Sequence, residues 1–169
     1  MSPTDVAKRR RRLKFFNSAV CVCGVLISIY AYVVETRFER DPKYQPMCDI
    51  SPHLSCTKAF NSRYGKGLGL VQRVVGPDSV LVQPNSVYGV LFYSLVFLCG
   101  MADGKRWKMV HLGLCALATI MSFYLAYILY LLRDICVVCV ATYVCNFLLL
   151  GGSVRSWKLP AAVRAKKKE

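Results

Sequence analysis

Four stretches of this chain, residues 15–34, 79–102, 109–132 and 135–154, contain no Asp, Glu, Lys or Arg and are 20 to 24 residues long. Each is long enough to cross about 30 Å of hydrocarbon as a helix, which takes roughly 20 residues. In lipid a helix also satisfies its own backbone polar groups, so runs this apolar have few other solutions. The pattern predicts an all-α integral membrane protein, a four-transmembrane-helix bundle on a single domain spanning 1–169. The first run follows Arg9 to Arg12 and resembles a signal peptide, but it is too long and lacks an A-x-A cleavage site. It is read as a retained helix. Residues 35–78 are mixed in polarity and too few to form a core of their own, so they must lean on the helices or the bilayer as a cap segment. Within them Leu70, Val71, Val74 and Val75 share one helical face, which fits either an interfacial anchor or a turn packed on the bundle. Gly65, Gly67 and Gly69 alternate without the G-x-G-x-x-G spacing, and this suits a tight turn rather than a phosphate loop.

Composition sharpens this picture. Hydrophobic residues make up 55% of the chain and charged ones 19%, with 23 Lys and Arg against 9 Asp and Glu. So apolar a chain is neither disordered nor easily soluble. Its cations are clustered, unlike the spread-out basic face of a nucleic-acid binder. Four crossings bring both termini and the turn at 103–108 to one side, where 15 of the 23 cations lie. The positive-inside rule makes that side cytosolic. Both termini, including the basic tail 155–169, are then cytosolic, and the cap segment 35–78 lies across the membrane.

The nine cysteines fall into two groups. Cys136 and Cys139 form a C-x-x-C at the start of the fourth span, where both sulfurs lie within one turn. The free N–H groups and the dipole of a helix start favour a thiolate there. Cys48 and Cys56 are the two cysteines of the cap, on the same side of the membrane. A loop pair and a helix-end pair suit a dithiol–disulfide relay; a static loop disulfide and a zinc site with His53 are the competing readings. Cys21, Cys23, Cys99, Cys115 and Cys145 sit inside spans, where a free thiol acts as a small hydrophobe. His111, near the cytosolic end of the third span, reads as an interfacial residue. Polar groups inside lipid point to function. Asn85 opens the second span on the cysteine side, and Tyr143 lies four residues beyond Cys139 on the same helix face. Together they suit an apolar ligand with carbonyl oxygens. An N-cap and a helix-contact tyrosine are their plainer roles.

The strings Met47-Cys48-Asp49, Ser55-Cys56, Ser62 to Leu70, Gln83 to Gly89 and Ile135 to Cys139, ending in Tyr143, resemble the vitamin K epoxide reductase family of the endoplasmic reticulum membrane. Ser28 to Tyr32 and Glu39 to Pro42 are closer to its vertebrate vitamin K epoxide reductase-like branch. Tyr64 stands where the family usually has Trp, and Tyr88 where it often has Phe. The resemblance implies an enzyme, a dithiol-dependent oxidoreductase that reduces vitamin K epoxide to the quinone and the quinone to the hydroquinone. In it Cys136 and Cys139 form the active-site pair and Cys48 and Cys56 the shuttle pair. Asn85 and Tyr143 bond the quinone oxygens, and Phe60 and Tyr88 line an apolar pocket. It further implies a thioredoxin-like luminal oxidoreductase as the thiol donor, 4-hydroxycoumarin inhibitors in the same pocket, and no tightly bound metal or flavin. Lys166 to Lys168 resemble a dilysine retrieval signal. The same machinery run the other way is a quinone-linked generator of disulfides for secretory folding. A non-enzymatic four-helix scaffold, with a structural Cys48–Cys56 bridge, would leave Cys136 and Cys139 unreactive.

Overall fold

The protein, described here by a computed structural model for residues 2–51, 54–76 and 78–159, is helical throughout its described regular structure and contains isolated β-bridges but no strand. Its helices are α1 (Pro3–Arg40), α2 (Cys56–Phe60), α3 (Val71–Val75), α4 (Asn85–Met101), α5 (Lys105–Leu132) and α6 (Val137–Lys158). Among the described residues α1, α5 and α6 are long and apolar enough to cross a membrane, and α4 is a shorter apolar helix of 17 residues.

Helical hydrogen bonding does not stop where charge begins. The 38 residues of α1 run from the Ser2 cap, which accepts the Asp5 N–H, through the basic cluster and on to Arg40. Lys and Arg are good helix formers, so the basic cluster lengthens the helix instead of ending it. The uncharged run at 79–102 behaves in the opposite way. Pro84 holds an extended conformation ahead of the helix, residues 79–83 fold into turns, and α4 begins only at Asn85. It is about 25 Å long. Asn85 is therefore the first residue of the helix and not its cap; Pro84 occupies that position without a side-chain bond.

The bundle is organised around α1, which packs against α4 and α6, while α5 packs against α6 and α4. Small residues permit the close approaches: the Tyr93 ring lies over Gly24, and Ser28 abuts Gly89. Small side chains at helix contacts are typical of membrane packing, since lipid gives apolar helices no reason to associate by hydrophobicity alone. Polar groups pair across the contacts that α6 makes with its neighbours. The Tyr93 hydroxyl donates to Asn146 Oδ1 (3.0 Å), and Asn146 Nδ2 donates to Ser122 Oγ (2.9 Å). The outer surface is apolar, with Leu91, Leu98, Ile120, Phe123 and Tyr130 all more than 60% exposed. Small and polar residues inside with large apolar ones outside is the arrangement of a molecule whose solvent is lipid.

His111 departs from expectation. It is buried, with Nδ1 2.9 Å from Ser153 Oγ, in space left by Gly100. The α3 face also differs from the packed-turn alternative: α3 has no buried residue and Val74 is 85% exposed. His53 and the basic tail from residue 160 lie outside the described residues, so neither the zinc reading nor the dilysine signal has a structural counterpart here.

Candidate active site

A short pairing between distant segments builds the site. Leu54 bridges Ile135 in parallel, and the Ser55 N–H donates to the Ile135 carbonyl oxygen (3.1 Å). The residues that follow are Cys56 and Cys136, and both are fully buried. With Cys48, Ala59, Ala31 and Val138 they form one buried cluster, against which Cys139 and Phe60 pack. Five of the eight residues singled out from the sequence thus converge.

The two cysteine pairs are in different states. Cys48 and Cys56 are joined in a disulfide with Cα atoms 5.8 Å apart, whereas Cys136 and Cys139 are free thiols. Cys136 caps α6, and its Sγ accepts the Cys139 N–H (3.2 Å). The C-x-x-C therefore straddles the helix start: Cys136 precedes the first turn and Cys139 lies within it.

Asp49 organises this junction, although the sequence reading assigned it no role. Its Oδ1 accepts the N–H groups of Cys56 (2.6 Å) and Thr57 (3.2 Å), and its Oδ2 accepts the Thr57 hydroxyl. A carboxylate on the first N–H groups of a helix is favourable. It ties the residue after Cys48 to the start of α2, where Cys56 stands. Its sequence signal is an acid next to one cysteine and a few residues before a Ser-Cys-Thr helix start. Cys48, Asp49 and Cys56 hold their donor atoms within 4.8 Å of one another. Cysteine binds a metal as its thiolate, and here both sulfurs are joined in the disulfide and both carboxylate oxygens accept hydrogen bonds. The donor set does not fit a metal in this state.

Asn85 serves the cap. Its Oδ1 accepts the Leu68 N–H (2.7 Å) and its Nδ2 donates to the Tyr64 carbonyl oxygen (2.7 Å). The turn it grips has Gly67 and Gly69 at positive φ, and a Cβ on Gly65 would run into the Phe60 carbonyl oxygen. Tyr88 is half-buried and its hydroxyl donates to the Leu81 carbonyl oxygen. Tyr143 is half-buried one turn along α6 from Cys139. Asn85, Tyr88 and Tyr143 stand outside the buried cysteine cluster. The sequence reading also passed over Glu35, which is buried near the end of α1 and accepts the Ser86 hydroxyl at Oε2 (2.7 Å). An acid four residues past Ala31, directly after the uncharged run 15–34, is the signal that would have found it.

Beside the Lys66 turn stands Glu39, whose carboxylate oxygen lies 2.8 Å from Lys66 Nζ and holds the Lys66 proton more tightly than usual. This joins the cap to α1.

The model of the vitamin K epoxide reductase family matches residues 16–154. Vitamin K epoxide reductase complex subunit 1 of Mus musculus is 44% identical over 130 residues, covering 76% of this chain and 80% of that one. The Rattus norvegicus protein of the same name is 42% identical over the same shares. With this match covering both cysteine pairs and the bundle that brings them together, the chain belongs to the vitamin K epoxide reductase family.

Proposed function

We propose that this chain, an oxidoreductase of the vitamin K epoxide reductase family, reduces vitamin K epoxide to the quinone and the quinone to the hydroquinone through Cys136 and Cys139. The observation that carries the reading is the pair of free thiols packed in one buried cluster with the Cys48–Cys56 disulfide. It is the distribution expected once a loop dithiol has handed its electrons inward. In the quinone step two S–H bonds break, one S–S bond forms, and two electrons and two protons pass to the ring oxygens. In the epoxide step the same electrons open the C–O bond and the oxygen leaves as water.

Cys139 attacks the epoxide and Cys136 resolves the adduct. Cys56 then exchanges onto Cys136, and Cys48 passes oxidising equivalents to a thioredoxin-like luminal protein. Asn85 and Tyr143 bond the substrate oxygens. A primary amide carries two hydrogens, and the Asn85 hydrogen not given to Tyr64 serves this purpose. Phe60 and Tyr88 line the ring pocket, which is also where 4-hydroxycoumarins bind. α4 is the fourth crossing, at 17 residues long enough with flanking side chains reaching the interface. Residues 41–84 cap the luminal side of an endoplasmic reticulum protein with cytosolic termini, and the exposed α3 face anchors the cap in the interface.

The test is dithiothreitol-driven turnover of vitamin K epoxide in microsomes carrying the chain, compared with Cys139→Ala. Turnover by the first and none by the second is the expected result. Equal rates, or none from either, would reject the reading.

A further inference from the structure

Reduction of a quinone in a water-poor site moves protons as well as electrons, and the two thiols that release those protons are packed under apolar side chains. A group able to carry protons lies one helical turn along α1 from their cluster. Glu35, a carboxyl near the end of α1, is only 6% exposed. Its Oε2 is held by the Ser86 hydroxyl at 2.7 Å, while its Oε1 is buried with no hydrogen-bond partner. A carboxyl is rarely buried unpaired, since doing so costs several kcal/mol unless the charge is neutralised or used.

Its position links the two halves of the site. One helical turn before it on the same face, Ala31 packs in the cysteine cluster with Cys136 and Cys139. Its partner Ser86 is the residue after Asn85 at the start of α4. The charged and titratable groups within its electrostatic reach are Glu39 on α1, Lys66 on the cap and Cys139 on α6. Lys66 is engaged by Glu39, 2.8 Å away, and does not neutralise Glu35 by contact. One oxygen is thus anchored by the residue after Asn85, and the other is buried and uncommitted.

We propose that Glu35 is the proton relay of this reductase, exchanging a proton between the Cys139 thiol and the substrate oxygen in each two-electron step. The proposal rests on the reductase reading above. Electrons travel only through sulfur. In the quinone step Glu35 takes the proton of the breaking Cys139 S–H bond and gives one to a ring oxygen, the second proton coming from Cys136. In the epoxide step the same two protons leave in water. Glu35 ends each step as it began, so the balance of the reaction is unchanged. Ser86 is a positioning residue that fixes which carboxyl oxygen faces the reaction.

The experiment compares the full-length wild-type protein with Glu35→Gln, Glu35→Asp and Ser86→Ala in microsomes, using dithiothreitol and vitamin K quinone across pH. Cys139 alkylation by iodoacetamide is followed in parallel by peptide mass spectrometry. Gln keeps an oxygen for Ser86 and cannot exchange protons. Turnover by Glu35→Gln is expected to fall by about 100-fold, the usual scale for a lost acid–base group, and one limb of its pH–rate profile should disappear. Glu35→Asp should restore that limb. Glu35→Gln turnover within two-fold of wild type and with an unchanged profile overturns the proposal. If Glu35→Gln does not accumulate, Ser86→Ala decides: a displaced limb supports the relay and an unmoved one overturns it. Should the wild type itself fail to turn over the quinone, the reductase reading falls. The pH dependence of Cys139 alkylation still tests Glu35 in that case, since identical profiles in wild type and Glu35→Gln overturn its exchange with that thiol.

Discussion

At the scale of single residues, Cys136 and Cys139 stand as free thiols against the Cys48–Cys56 disulfide. The C-x-x-C and the loop pair are legible because sulfur chemistry needs two cysteines within reach, and spacing on one helix start guarantees that for Cys136 and Cys139. The exchange partner is not legible in this way. It depends on Ser55 meeting Ile135 across the fold. A Cys139→Ala protein should therefore trap a Cys56–Cys136 disulfide, detectable as a linked peptide by mass spectrometry. Recovery of the Cys48–Cys56 bridge alone under every redox condition would exclude the relay. Asn85 was legible as a polar group in an apolar run, but its two bonds to the cap were not. Asn85→Ala should consequently lower both turnover and melting temperature, through the lost substrate donor and the loosened 64–68 turn. Tyr143→Phe is the cleaner probe. It keeps the ring and removes only the hydroxyl, so turnover should fall by the equivalent of about 3 kcal/mol with the melting temperature unchanged. Full turnover in both variants would move the ligand oxygens elsewhere.

At the scale of elements, hydropathy finds helices well and their ends poorly. The uncharged run at 79–102 contains no charge to mark its first turn, yet Pro84 and the turns before it delay α4 until Asn85. Conversely α1 carries its basic cluster within the helix. The glycine-rich turn was read correctly because its geometry is local: Gly67 and Gly69 adopt positive φ and Gly65 has no room for a Cβ. Gly65→Ala should destabilise the cap by about 1–3 kcal/mol, measured as earlier proteolysis of the cap with the bundle intact. At the opposite end, Lys14 Nζ lies 2.8 Å from Asp103 and also donates to the Met101 carbonyl oxygen, closing the end of α4. Lys14 holds the Asp103 carboxyl below the usual carboxylate range. A lowered folded pKa gives stability that is present above the unfolded carboxylate pKa and lost as pH falls through the folded one. Asp103 is largely exposed, so Asp103→Asn should cost less than about 1 kcal/mol at neutral pH. The difference from wild type should vanish in acid, as read by thermal melting in detergent at each pH.

At the scale of the whole molecule, the bundle joins two different ends. One gathers cations, and the other gathers four cysteines, Asp49 and Glu35 where the cap meets α1, α4 and α6. Four crossings, with α4 among them, would return both termini to one side, whereas three would separate them. Epitope tags at each terminus of the protein in sealed microsomes should then be digested together by added protease. Protection of one tag and loss of the other would remove α4 from the membrane.

The sequence by itself determined the apolar spans, the charge asymmetry, the tight glycine turn and the two cysteine pairs. Each of these depends on transfer free energy or backbone geometry within a few residues. Only the tertiary structure decided that Leu54 pairs with Ile135, that Asn85 bonds the 64–68 turn and that Glu35 is buried against Ser86. Those outcomes depend on which segments far apart in the chain come into contact. Such contacts are set by how α1, α4 and α6 pack together, and the residues adjacent to each group in the chain do not name its partner.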